Sequence, residues 1–450
     1  MPKPIIRKRV TGVKLGLYND ASVRERSVLE ITSPQAFDTL GTALPRGLYD
    51  PSLGPSGGGG DTFGACMTCG NPSQQCLGHC GHIELCVPCY HPLLFPMLIK
   101  LLRSKCLSCH SLKIGSYLTQ LYEIQLRFIN VGLVYKAEEI RDREPYLKKN
   151  VEEGKLYLKD MLIELEHAEA AQGFKKKEVY LNAHERQIKN EIVKMVLSEC
   201  TTAPKCMECL AISPRVKQVN HNKVFMDKIS TRSHTSNIDN GVVFHALSTE
   251  TKGEEGDENY DEGTDYHKSQ KFMHALQVEA QSQATWNKHP YLCSQLFGTA
   301  MTTKEDKSNG YSMFFLRTIC VPPSRFRPAE KQGDYAVEHG QNINLGKIIS
   351  INTDLRTVFA QCTGMNQGNE EKELTEDDLK TMQMKYQSKA LDLWVLLQTH
   401  VNIFLDNSKD PNKYGLKIPG VRQLLEKKEG MFRKHMMGKR VNYAVCFICV

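Results

Sequence analysis

The chain has 450 residues, of which 40% are hydrophobic and 24% charged, and its formal net charge is +7. These values are ordinary for globular proteins and exclude wholesale disorder or a fibrous repeat, and the length suffices for two to four domains. Basic residues crowd the two chain ends, whereas the range 250–265 holds eight carboxylates and one lysine. We interpret that acidic range as a solvated, flexible stretch.

The N-terminal residues return to charge after two isoleucines, so we expect no secretory signal. No stretch reaches the roughly 18 to 20 uninterrupted apolar residues of a membrane helix, and we expect no membrane contact. The 16 cysteines are then better interpreted as metal ligands or buried thiols than as disulfides, because the cytosol and the nucleus keep thiols reduced.

The first feature along the chain with clear chemistry is a C-x2-C-x6-C-x2-H pattern formed by Cys66, Cys69, Cys76 and His79. Three thiols and an imidazole at this spacing favour tetrahedral zinc, and four protein ligands make the ion structural. Unliganded thiols in a loop, or His82 in place of His79, are the alternatives.

Three further C-x2-C pairs follow, namely Cys86 with Cys89, Cys106 with Cys109, and Cys206 with Cys209. The segment between the last two pairs is predicted to be largely helical, because apolar residues recur at three- and four-residue steps. A second zinc ion could therefore join the last two pairs and so tie together the two ends of this helical segment. Pairing of the first two, with 16 residues between them, is also a reasonable zinc-ribbon spacing, so these residues leave the choice open.

Taken as one string of eight ligands, the cysteines and histidine of the range 66–109 also imitate the cross-braced zinc pattern of RING-type ubiquitin ligases. The spacing fits that pattern poorly. We keep this class of protein as a distant alternative.

Later elements are predicted from periodicity and from turn residues. We expect a helix over "PLLFPMLIKLL", helices from 118 to 200, a mobile insertion or solvent-facing loop from 216 to about 270, and a helix over 271–289. A strand over "MFFLRTICV" should end at Pro322, before Arg325 and Arg327, which flank Phe326 and could contact phosphates or bases. A further helix should bury one face, carrying Tyr386, Ala390, Leu393, Leu397, Val401 and Phe404.

The strongest basic segment lies near the C-terminus, where glycines and apolar residues alternate with cations. Neutralised phosphates release counterions, so such a segment is typical of sequence-independent nucleic-acid binding, and a solvated basic turn is the alternative. The candidate binding residues are Lys427, Lys428, Arg433, Lys434, Lys439 and Arg440.

In this order, "GLYDPSLGP", "CMTCGNPSQQCLGHCGHIEL", "CLSC", "VPPSRFRP", "LQTHVNIFLDN" and "EKKEGMFRKHMMGKRVNYA" resemble the N-terminal part of the largest subunit of multisubunit DNA-directed RNA polymerases. Two of them, "VPPSRFRP" and "EGMFRKHMMGKRVNYA", are most similar to the RNA polymerase I branch. The resemblance implies transcription of ribosomal RNA genes in the nucleus, at the nucleolus. The implied partners are template DNA, the DNA–RNA hybrid, the second-largest subunit, the other subunits and transcription factors.

The implied fold is α+β and predominantly helical, a polymerase clamp with two structural zinc ions. The resemblance assigns the second ion to Cys106, Cys109, Cys206 and Cys209, and leaves Cys86 and Cys89 as adventitious thiols. It also implies a lid around 322–327, a coiled-coil arm over 386–407 and a switch region over 427–440. The implied divisions are clamp core (1–92), clamp head (93–215), its continuation with the acidic insertion (216–312), core with lid and coiled coil (313–405), rudder and switch (406–444), and an aberrant tail (445–450).

In the family, an Asn-Ala-Asp-Phe-Asp-Gly-Asp motif further along the subunit chelates the catalytic magnesium. From Val445 this sequence instead reads "VCFICV" and departs from the family pattern. We therefore expect a truncated product or a gene-model fragment, for example one read through an unspliced intron, which belongs to a nucleotidyltransferase but is not catalytic alone. A stand-alone zinc-dependent nucleic-acid-binding module is the alternative function.

Overall fold

The computed structural model describes residues 16–39, 41–55, 66–171, 181–242, 270–297, 309–332, 335–365, 376–410, 418–439 and 441–442. The acidic range 250–265, the "FKKKEVY" segment, Arg440 and the tail from Val445 lie outside these residues. Helices predominate in the described part of the chain, and three small sheets accompany them. This agrees with the expected fold class.

The described helices begin and end as follows: α1 (Asp20–Arg26), α2 (Phe95–Ser104), α3 (Ser116–Val131), α4 (Val134–Lys149), α5 (Val151–Ala171), α6 (Ala183–Thr202), α7 (Thr231–Asp239), α8 (Ala275–Lys288), α9 (Pro290–Leu296), α10 (Gly340–Met365), α11 (Glu376–Leu405) and α12 (Val421–Leu425). The described strands are β1 (Ser27–Glu30), β2 (Cys80–Tyr90), β3 (Val216–Val219), β4 (Lys223–Asp227), β5 (Gln270–Met273), β6 (Phe315–Val321), β7 (Glu330–Gln332) and β8 (Tyr335–Val337). Among these helices, none combines the length and the apolar character that a membrane span requires.

The first sheet places β2 between β1, which runs parallel to it, and β6, which runs antiparallel. Alternate residues of β2, including Ile83 and Leu85, are buried in a cluster with residues of α10 and α11. Gly81 permits the close contact beneath this sheet, since a Cβ there would lie 2.8 Å from Cδ1 of Ile31. One face of the sheet therefore carries the two longest described helices.

The pairing of β2 with β6 is interrupted between Glu84 and Cys89, and side chains of α10 and α11 bond backbone groups at the interruption and on either side of it. The amide of Asn352 accepts from the Cys86 N–H at 2.9 Å and donates to the Glu84 carbonyl at 2.8 Å. The amide of Gln398 bonds both the N–H and the carbonyl of Tyr90, at 2.7 and 3.0 Å. Because an unsatisfied buried backbone group is costly, these contacts fix the helix pair on the sheet.

The helical half of the molecule surrounds the larger buried cluster, which draws residues from α2 to α6, α8 and α9. Helix α2 contributes Leu98, Ile99, Leu101 and Leu102 from one side, as "PLLFPMLIKLL" predicts. Helix α6 begins with a capping box between Asn182 and Glu185, a strong local start signal. The helices predicted from 118 to 200 are thus confirmed outside the segment 172–180, which is not described.

One prediction for the range 216–289 is wrong, and a second is confirmed with a later start. The loop predicted from 216 to about 270 is contradicted over residues 216–242, where β3 and β4 pair and α7 follows β4, and β5 joins the same antiparallel sheet; residues 243–269 of that prediction are not described. Lys271 to Met273 belong to β5, so the helix predicted over 271–289 begins only at Ala275. Val216, Val224 and Met273 are buried against the larger cluster, and this tertiary burial overrides the polar composition of the segment.

Candidate metal centres and basic segment

Three C-x2-C knuckles share one local geometry. In each, the N–H of the first cysteine donates to the carbonyl five residues later, and the residue after the second cysteine has a positive φ. That left-handed residue reverses the chain, so the two thiols of a knuckle converge. The hydrogen bonds are Cys66 to Asn71 at 2.8 Å, Cys106 to Ser111 at 2.8 Å, and Cys206 to Ala211 at 2.9 Å, and the positive-φ residues are Gly70, His110 and Leu210.

The first metal group consists of Cys66, Cys69, Cys76 and His79, whose ligand atoms all lie within 4.8 Å of one another. Sγ of Cys76 lies 3.7 Å from Nε2 of His79 and accepts the N–H of Gly78 at 3.3 Å. Gly78 turns the chain back toward the first pair with a φ of +87°, a conformation that glycine adopts without strain. The structure thus brings all four predicted ligands together.

The second metal group consists of Cys106, Cys109, Cys206 and Cys209. The Sγ atoms of Cys106 and Cys209 are 3.6 Å apart, as are those of Cys109 and Cys206, across separations of 103 and 97 residues. A disulfide needs about 2.05 Å, whereas four Zn–S bonds of about 2.3 Å form a tetrahedron with an edge of about 3.8 Å. The group therefore has the dimensions of a structural zinc site.

Local donors favour the thiolate, the form that binds metal, at one cysteine of each group, whereas burial raises the pKa of Cys76, Cys206 and Cys209. Burial alone raises the pKa of the Cys66 thiol, but the N–H groups of Cys69 and Thr68 point at its sulfur and lower the pKa to about 6. At Cys106, burial is likewise outweighed, by the N–H of Cys109 and the hydroxyl of Ser213, and the pKa is lowered. The donor sets themselves, three thiols with one imidazole and four thiols, fit zinc.

His82 is not a member of the first group. Its Nδ1 lies 2.7 Å from Oγ of Ser27, and its Nε2 lies 3.5 Å from a carboxylate oxygen of Glu84. These contacts hold the ring in the first sheet, so the alternative that replaced His79 by His82 is not supported.

Cys86 and Cys89 join neither metal group among the described residues. Cys89 is fully buried in β2, where burial raises the pKa of its thiol, and Cys86 packs against α10. The second group closes instead through the distant pair after α6. A cross-braced RING arrangement within 66–109 is therefore contradicted, because its second ion would need ligands from that range alone.

The proline loop, defined here as residues 322–327, contains the two arginines predicted to contact nucleic acid, and their side chains have different surroundings. Arg327 is fully buried and donates to three neutral oxygens, those of Pro322, Leu48 and the Asn342 side chain, at 2.5 to 3.1 Å. Burial lowers the pKa of Arg327 to about 10. The prediction that Arg327 binds nucleic acid is wrong, because its guanidinium lies inside the fold.

Arg325 remains at the surface, but its side chain is engaged. Nη1 donates to the carbonyls of Ser73 and Cys76 at 3.1 and 2.5 Å, so it contacts the loop between the second and third ligands of the first metal group. Nucleic-acid contact by Arg325 stays a prediction.

The basic segment, residues 427–439, lies at the surface. All of its cations are exposed, and its last turn is a π-helix, Phe432–Met437, without a buried residue. Met436 and Met437 are 60% and 84% exposed, so apolar side chains stand among the cations, as an interaction surface requires. The exposed cations are Lys427, Lys428, Arg433, Lys434 and Lys439, of which Lys434 lies 2.8 Å from Glu429.

A buried carboxylate at the end of α11 holds α12, the short helix that leads into the basic segment. Asp406 accepts from the guanidinium of Arg422 at 2.9 Å, from the amide of Gln423 at 2.7 Å and from the hydroxyl of Ser408 at 2.7 Å. Burial alone would raise the pKa of Asp406, but these donors lower it to about 2. Sequence reasoning missed this residue, although an aspartate directly after a helix and before a basic run was a usable signal.

Comparisons with known proteins show which sequences this chain resembles. The family model described as RNA polymerase Rpb1, domain 1, matches residues 7–382. Over 98% of its length the chain is 29% identical to the DNA-directed RNA polymerase I subunit RPA1 of Euplotoides octocarinatus, of which it covers 76%. It is 29% identical to rpa1 of Schizosaccharomyces pombe and 28% identical to RPA190 of Saccharomyces cerevisiae, again over 98% of its length. The chain spans only 28% of each of these two relatives.

Proposed function

Because this chain belongs to the RNA polymerase Rpb1 family, through its domain 1, we propose that it forms the clamp of a nuclear RNA polymerase I. In this role it closes over template DNA and the DNA–RNA hybrid during transcription of ribosomal RNA genes at the nucleolus. Similarity over nearly the whole chain to RNA polymerase I largest subunits supports the branch. The second-largest subunit, the other polymerase subunits and transcription factors are its proposed partners.

The basic segment is the observation that carries the nucleic-acid part of the proposal. Its cations are exposed, and Asp406 ties its base to the core through Arg422 and Gln423. Contacts with phosphates position a polynucleotide without reading its sequence, because each one releases counterions whichever base is present. A clamp that must travel over every template needs this kind of contact.

We propose that the two metal groups each hold a structural zinc ion. A zinc ion bound at either group would cross-link its four ligand side chains and so hold distant parts of the chain together. The second group would then fix the helices α3 to α6 at their base, and the first would fix the loop beneath the proline loop. Phosphoryl transfer in this nucleotidyltransferase family requires clustered carboxylates and two divalent ions. The role that we propose for these 450 residues is to bind nucleic acid rather than to catalyse phosphoryl transfer.

Binding of a fluorescent DNA–RNA hybrid to the purified chain, measured by anisotropy at several salt concentrations, tests this function. One variant replaces Lys427, Lys428, Arg433 and Lys439 by glutamine, and a matched control replaces the exposed Lys155, Lys159, Lys205 and Lys228. The first variant should bind at least about tenfold more weakly, with a salt slope about 3 smaller, because about 0.7 to 0.9 counterions are released per contact. Equal affinities for the two variants would contradict the proposal.

A further inference from the structure

We infer that Arg325 is a latch between the first metal group and the proline loop, so that metal occupancy and the position of this loop depend on each other. The inference rests on the proposed zinc ion. Its first support is geometric, since one guanidinium nitrogen of Arg325 donates to the carbonyls of both Ser73 and Cys76. Arg325, which is not itself a metal ligand, thereby holds the segment between Cys69 and Cys76 in place.

The proline loop is also packed directly against the turn at Gly78 and against Gly54. A Cβ on Gly78 would lie 2.4 Å from Cβ of Pro323, and a Cβ on Gly54 would lie 2.9 Å from Cα of Gly78 and 3.5 Å from Sγ of Cys76. The hydroxyl of Ser324 donates to the Gly54 carbonyl at 3.4 Å. The turn at Gly78, between the ligands Cys76 and His79, therefore cannot shift toward the proline loop unless the proline loop moves too.

Electrostatics favours the same arrangement. Three thiolates and one neutral imidazole around a divalent zinc ion leave a net charge of about −1 on the first group. The guanidinium of Arg325 brings a positive charge to the carbonyl of the ligand Cys76. Residues that orient metal ligands from outside the coordination sphere typically change metal affinity by about 10- to 100-fold when they are replaced.

The far end of the proline loop continues the connection. The buried guanidinium of Arg327 bonds the side chain of Asn342 in the first turn of α10, and also the Leu48 and Pro322 carbonyls. Arg325 and Arg327 thus link the metal group to the start of the helix pair. Coupling between two such sites is reciprocal in free energy, so fixing either end stabilises the other.

Zinc release from the full chain to an excess of a chromogenic chelator tests the inference, because the second metal group serves as an internal control. In Arg325→Ala, one of the two zinc ions should leave about 10- to 100-fold faster than in the parent chain, while the other keeps its rate. Arg325→Lys should restore little, since an ammonium cannot reproduce the planar donor group. The matched control is Arg317→Ala, which removes an exposed arginine of β6 that pairs with Glu279.

Hydrogen exchange of the peptide that contains the proline loop gives a second readout. Removal of the first zinc ion should increase exchange at 322–327 in the parent chain, and Arg325→Ala should show that increase with zinc still bound. A parent chain with two zinc ions and unchanged release from Arg325→Ala would overturn the latch alone. A parent chain without zinc at the first group would overturn both the latch and the proposed metal sites.

Discussion

Arg325 and Arg327 stand two residues apart in one loop, yet their guanidinium groups have different surroundings. The sequence presents both as basic residues beside Phe326 and prolines, and predicts the same surface role for each. They differ because Arg327 meets the Leu48 carbonyl, 279 residues away in the chain, and no local pattern encodes that contact. The short-range cysteine and histidine pattern therefore predicted which side chains come together, whereas no pattern in the sequence indicated that Arg327 is buried.

Replacing Arg327 by leucine should destabilise the fold by about 3 kcal/mol, because its acceptors would be left buried and unsatisfied. Urea unfolding measures the loss. Arg141→Leu is the control, since Arg141 forms an exposed ion pair with Glu191 and should change stability by no more than about 0.5 kcal/mol. An Arg327→Leu chain as stable as its parent, with weaker hybrid binding, would restore the surface role.

Asp406 should make the tether of the basic segment sensitive to acid. Its pKa in the fold, about 2, lies below the ordinary value of 3.8, so folding favours the ionised form. The stabilisation is therefore complete above about pH 4 and is lost as the pH falls toward 2. Asp406→Asn should be less stable than the parent by about 2 kcal/mol at pH 7, and the difference should shrink between pH 4 and pH 2. A difference that stays constant over that range would exclude this role.

At the scale of elements, the interrupted strand β2 explains how α10 and α11 are held. The sequence predicts the second of these helices and its buried face, and Leu397, Val401 and Phe404 are buried as expected. It did not lead us to β2, although the alternation of Ile83 and Leu85 with polar neighbours was a usable signal. The side chains that bridge the interruption come from positions 266 to 308 residues away, which no periodicity reveals.

Gln398→Leu tests whether the bridge matters. The substitution keeps an apolar body in the helix but removes both hydrogen bonds to Tyr90, so we expect a loss of about 2 to 4 kcal/mol and faster exchange of the Tyr90 amide. Gln387→Leu, at an exposed position of the same helix, is the control and should leave that amide protected. Equal exchange in the two variants would show that the sheet holds without the bridge.

At the scale of the whole molecule, two buried clusters meet at the end of β2. Cys89 belongs to the cluster of the first sheet, and its neighbour Tyr90 belongs to the cluster of the helical half. The six divisions predicted from the family resemblance remain predictions, but the shared strand makes the core and the helical half one continuous packing unit. The second metal group lies beyond this junction, where it closes the segment that carries α3 to α6.

Cys206→Ser should reduce the zinc content from two ions per chain to one, because the second group loses a ligand whose position depends on a distant knuckle. Backbone amides in peptides of α3 and α6 should then exchange hydrogen faster, since the knuckle before α3 is no longer tied to the knuckle after α6. Cys86→Ser is the matched control and should retain two ions. Loss of zinc in the control as well would revive the pairing of Cys86 and Cys89 with Cys106 and Cys109.

Zinc K-edge absorption of the purified chain, with the zinc content measured on the same sample, tests the metal-tied scaffold most directly. Seven thiolates and one imidazole divided between two ions predict an average of 3.5 sulfur ligands and 0.5 nitrogen ligands per zinc, with Zn–S distances of about 2.3 Å. Fewer than two ions per chain, or a first shell that contains water oxygen, would contradict the scaffold on which the proposed clamp depends.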